Sequence, residues 1–165
     1  MRWRQGILIV STVLGSWLAM QALHELGHVL AARLSGGRVA RVVLHPLTIS
    51  RTDLSKNPHP LIVAWAGPVV GVLAPLLVWA VAARARFSGA FVPRFVAGFC
   101  LVGNGAYLAF GSFGRVGDAG ELLRLGSPPW LLWLFLAALR CTSLLLAAPR
   151  CSSLPFAVPR CSSLL

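Results

Sequence analysis

A chain of 165 residues has room for one domain, and 57% hydrophobic against 12% charged residues is about half the charge expected of a soluble domain. That composition excludes an ordinary water-soluble globule and implies helices that pack through small residues inside a lipid bilayer. The net charge of +11 does not point to nucleic acid, because the basic residues fall mostly between apolar stretches, where they anchor helix ends at anionic headgroups.

The first apolar run spans residues 7–30, longer than the roughly 20 residues that cross a bilayer. Arg2 and Arg4 precede it, as they would in a secretory signal peptide. Cleavage near Ala19–Ala22 would meet Met20 in place of a small residue and would strand the residues that follow, so an uncleaved anchor is expected. Within this run, Gln21, His24, Glu25 and His28 follow i, i+3, i+4, i+7 spacing and share one helical face. Ionisable groups in a membrane helix are costly, so that face should point into the protein and carry function. The stretch His24-Glu25-Leu26-Gly27-His28 also has a chemical logic. His24 and His28, one turn apart, can reach a single zinc ion, with Glu25 beside them as general base.

Gly36 and Gly37 are expected to close the first helix. Residues 38–53 are rich in β-branched side chains and broken by His45-Pro46, which predicts a short β-hairpin or paired extended loop at the membrane surface. A second span is predicted over 61–83, with Gly67-Pro68 and Gly71 permitting close helix approach. A third is predicted over 91–111; its Arg94, Asn104 and glycines favour packing against other helices over lipid contact. A glycine-rich turn follows, and a fourth transmembrane segment is expected within 127–148. In the tail, 149–165, Arg-Cys-Ser-Ser-Leu recurs at Arg150 and Arg160 after a related copy at Arg140. This decapeptide period matches no solenoid and reads as a low-complexity duplication, which makes Cys141, Cys151 and Cys161 poor evidence for disulfides or metal. The expected fold class is an all-α multi-pass membrane protein of about four transmembrane helices, with residues 1–126 as its core.

A catalytic zinc usually takes three protein ligands and a water. The remaining donors are few: Asp53, Asp118, Glu121, His45, His59 and Cys100. The first and third spans end on the same side of the membrane, which returns Asp118 to the level of His28. Asp118 and Glu121 also have the spacing of a helix capping box, and Asn104 has the simpler reading of a helix–helix hydrogen bond.

The His-Glu-Leu-Gly-His stretch in a first core helix, Ala66-Gly67-Pro68 in the next and an Asp close to a Gly after the third together resemble the site-2 protease family of intramembrane zinc metalloproteases. The resemblance covers roughly residues 5–126. It implies Zn2+ held by His24, His28 and Asp118, with Glu25 catalytic and Asn104 binding substrate. The chain departs from the family's pattern in two places: no Asn-x-x-Pro precedes Asp118, and Ala119 separates Asp118 from Gly120.

The function so implied is hydrolysis of peptide bonds in or near transmembrane segments of substrate proteins. The alternative is a catalytically inactive membrane scaffold or regulator that keeps the fold. The expected partners are a transmembrane protein substrate and the lipid bilayer, with no nucleic acid; oligomeric state is open. Seven basic residues flank the zinc-proximal loops against five on the other side, which favours a zinc site nearer the cytoplasm; the expected location is the plasma membrane.

Overall fold

The structure, a computed structural model, describes residues 2–137. In chain order the elements are α1 (Arg2–Leu34), β1 (Arg38–Val43), β2 (Arg51–Lys56), α2 (Pro60–Arg84), α3 (Phe91–Gly114) and α4 (Gly117–Arg124), followed by a helical segment over 129–137. The remainder of the expected fourth span and the decapeptide tail, with Cys141, Cys151 and Cys161, lie outside the described residues. Three of the described helices, Trp3–Leu34, Pro60–Arg84 and Phe91–Gly114, are long and apolar enough to cross a membrane.

All four described helices of the core end in the same way, for a local reason. At the end of α1, Gly36 adopts φ +77°, Gly37 N–H bonds Ala32 O at 2.7 Å, and Gly36 N–H bonds Arg33 O. This left-handed cap satisfies the carbonyls that the last helical turn leaves open. Gly126 does the same after α4. Arg86 and Arg115 do it after α2 and α3, each at φ 52°, a conformation that is uncommon for a residue with a Cβ.

The helices approach closely where glycines face one another's backbone. A Cβ on Gly27 of α1 would lie 2.9 Å from Gly67 Cα and collide with the Ala66 carbonyl of α2. The glycine inside the His-Glu-Leu-Gly-His stretch is therefore a contact residue, and it lets α1 and α2 touch at the level of the histidines. Pro68 and Pro75 are buried within α2, a placement that membrane helices tolerate when neighbours support the broken turn. Ala64, Leu108, Ala119, Leu122 and Leu132 form one apolar cluster, and Val72, Ala97 and Leu101 another.

β1 and β2 pair antiparallel, with Val42 opposite Thr52 and an irregularity near Val39. The hairpin follows the end of α1. Its loop returns along the helix: Trp17 Nε1–H donates to Pro46 O at 2.8 Å, and Gln21 Nε2–H donates to His45 O at 3.1 Å. Trp17 is about 25 Å of helix before Leu34. Side-chain bonds at the loop's polar groups explain how irregular backbone can lie against an apolar helix: Ser50 N–H and Oγ–H donate to Gln21 Oε1, and Leu47 N–H donates to the His45 ring.

Candidate metal centre and active site

The i, i+4 spacing on α1 stacks His24 above His28, their rings 4.9 Å apart and nearly perpendicular. Each ring is oriented by a different helix. His24 Nδ1 lies 2.7 Å from Asn104 Oδ1 on α3, and His28 Nδ1 lies 2.8 Å from Val63 O on α2. Both partners are acceptors, which favours the tautomer with the proton on Nδ1 and the lone pair on Nε2 in each ring. The two Nε2 atoms face a third acceptor: Asp118 Oδ2 is 2.6 Å from His24 Nε2 and 3.4 Å from His28 Nε2.

Asp118 reaches this position because α4 starts two residues earlier than a capping box would need. Val116 is the N-cap and no side chain caps the helix, which leaves Asp118 in the first turn with its carboxylate turned to α1. Glu121 pairs instead with Arg124 on the surface. Tyr107 Oη accepts the Asp118 N–H at 3.3 Å, and its ring packs edge-on to His24.

This donor set fits a cation. The three ligand atoms lie within 4.8 Å of one another, and tetrahedral zinc at ~2.1 Å would set such atoms about 3.4 Å apart. Three converging acceptors repel unless a proton or cation lies between them. Gly67 keeps the space open: a Cβ there would lie 2.8 Å from His24 Nε2 and closer still to His28 Nε2. Among the described residues, His24, His28 and Asp118 are the His, Cys, Asp and Glu side chains that gather in this way. Asp53 pairs with Arg41 and Arg51 on the hairpin surface, His45 bonds within its own loop, His59 precedes α2, and Cys100 is buried on α3.

Glu25 is 5% exposed and turns toward the hairpin, where Thr52 Oγ1–H donates to its Oε2 at 2.7 Å. A cavity of about 700 Å³ opens beside it. Its walls come from α1, β2, α2, α3 and α4, and His24, Glu25, His28 and Asp118 all border it. The volume is in the range of clefts that enclose a ligand or a few peptide residues.

Reasoning from sequence named His24, Glu25, His28, Asp118 and Asn104, and all five border this cavity. The amide of Asn104 is engaged at both ends within the protein, by His24 and by Cys100 O. Thr52, Ser50, Tyr107 and the Val63 carbonyl were missed. Tyr107 had a signal, since it follows Asn104 by three residues and polar groups on one face of a membrane helix turn inward. Thr52 and Ser50 had none, because their contacts depend on where the hairpin folds back.

A family model described as Peptidase M50B-like matches residues 3–108, a stretch that includes His24, Glu25, His28 and Asn104 and stops short of Asp118. No curated protein and no solved structure matches the chain. With most of its length matched, the chain belongs to the Peptidase M50B-like family, a site-2 protease family.

Proposed function

We propose that this protein is an intramembrane zinc metalloprotease that hydrolyses peptide bonds in or near transmembrane segments of other proteins. The observation that carries the reading is the convergence of two Nε2 lone pairs and one carboxylate, with both Nδ1 atoms tied back to acceptors. His24, His28 and Asp118 would hold the ion. The chemistry zinc supplies in such a setting is polarisation of a carbonyl and acidification of a water. Glu25, one residue from His24 and bordering the same cavity, takes the water's proton and returns it to the leaving amine. Thr52 holds the Glu25 carboxylate in one rotamer through its hydroxyl.

A helical peptide bond is shielded by its own hydrogen bonds, so a substrate must unwind locally before it enters. The hairpin flanks the cavity, and its exposed Leu47 and Ile49 offer an apolar surface to an incoming segment. The excess of basic residues around the loops after α1 and α3 supports an orientation with the site nearer the cytoplasm.

The test is Glu25→Gln in the purified full chain, with zinc content and cleavage of single-span membrane reporters measured together. Cleavage should vanish while about one zinc per chain stays bound. Retained cleavage would overturn the mechanism, and wild-type protein that holds no zinc would favour the inactive-scaffold reading.

A further inference from the structure

We propose that Asn104 is a positioning residue for His24: its side-chain carbonyl takes the Nδ1 proton and so presents the Nε2 lone pair to the cation site. The inference rests on the reading of His24, His28 and Asp118 as a zinc site, and it gives Asn104 a different task from the substrate contact expected from sequence. The Oδ1–Nδ1 distance is 2.7 Å, well within hydrogen-bond range. The direction of the amide is settled by its other end, where Nδ2–H donates to Cys100 O one turn earlier at 2.9 Å. Turning the amide over would set two acceptors against each other at Cys100 and two donors at His24.

The residue is also held from behind. Asn104 is 2% exposed, and a Cβ built on Gly71 of α2 would lie 3.0 Å from its Oδ1. Glycine at 71 therefore leaves the amide just enough room. Oδ1 and Nδ2 are each bound inside the protein, so the amide is held in place without any substrate. His28 has a matching tie, but to a backbone carbonyl that no side-chain substitution removes. The His24 tie is thus the one that can be cut by mutation. A ring N–H partner of this kind fixes both tautomer and ring angle, and its loss generally weakens metal binding 10- to 100-fold. Asn does this without adding charge to a site that already holds Asp118 and Glu25.

The test uses the purified full chain, stripped of metal and titrated with Zn2+ against a chromophoric chelator, with the visible spectrum of bound Co2+ as a second readout. Asn104→Leu keeps the branched shape and removes the acceptor; Asn104→Asp keeps the acceptor. The expected results are a 10- to 100-fold loss of zinc affinity and an altered Co2+ spectrum for Asn104→Leu, with a clearly smaller loss for Asn104→Asp, which keeps the Nδ1 partner but sets an acceptor against Cys100 O. Wild-type affinity in Asn104→Leu, or equal losses in both variants, would overturn the proposal. Nitrogen NMR of His24 in the unmutated protein gives a test that survives poor folding of either variant: an Nδ1–H tautomer is expected, and an Nε2–H tautomer overturns it. If the wild type itself takes up no zinc, the zinc-site reading fails, which is a distinct result from failure of the Asn104 role.

Discussion

Two stripes run side by side along α1, and different parts of the protein hold them. His24 and His28 are gripped by helices, through Asn104 of α3, Val63 of α2 and Asp118 of α4. Gln21 and Glu25 are gripped by the hairpin, through Ser50, His45 and Thr52. About 60° of helical rotation separates the stripes. The helix bundle therefore sets the geometry of the ligands, while the hairpin sets the position of the carboxylate that moves protons. Metal binding and catalysis should respond to different substitutions.

The largest effect is expected on the bundle side. Gly67→Ala places a methyl against both Nε2 atoms, so zinc affinity should fall at least ~100-fold, with cleavage lost alongside, in a chelator competition. Glu25→Gln cuts the other stripe alone. Its cleavage rate should drop by ~10²–10⁴ with zinc stoichiometry intact, and a parallel loss of metal would erase the distinction between the stripes.

Gln21→Leu sharpens the comparison further. It leaves Ser50 N–H and His45 O without their partner, weakening hairpin docking by about 1–3 kcal/mol. Hydrogen exchange should rise across 44–50 while zinc affinity holds. Thr52→Val removes one hydroxyl from the Glu25 carboxylate, and turnover should slow by ~2- to 10-fold with no change in zinc binding, the scale of one net hydrogen bond. Asp53→Asn is the smallest. Arg41 and Arg51 hold the Asp53 carboxyl below its usual range, but the cluster is on the hairpin surface, where such pairs contribute little. Neither thermal midpoint nor turnover should shift measurably.

These same stripes show what could be read from the sequence. The apolar runs marked the three long helices, because span length is set by bilayer thickness. The i, i+4 histidines placed two ligand atoms together by helix geometry alone. Asp118 was reachable through topology, since a helix that returns across the membrane brings its end back to the starting level. Its rival role as a cap failed at a point that composition does not reveal. Arg115 takes a left-handed conformation and α4 begins at once, so Val116 becomes the N-cap.

The shared polar face was legible too, but its division between two partners was not. That division depends on the hairpin folding back to Trp17, a long-range packing event with no local signature. Gly27 and Gly67 were visible as small residues; that one brings the helices together and the other opens space over the imidazoles emerges only from their crossing. Asn104 was visible as a polar residue in an apolar helix, while its direction toward His24 needed the rotation of α3.

The account depends most on a single zinc held by two imidazoles and a carboxylate. X-ray absorption at the zinc edge, on the purified full chain with metal content determined in parallel, measures this directly. The account predicts one zinc per chain, with two nitrogen ligands at about 2.0–2.1 Å and oxygen completing four-coordination, and loss of an oxygen ligand or of the metal in Asp118→Ala. A chain without stoichiometric zinc, or zinc bound with no imidazole scattering, would contradict it.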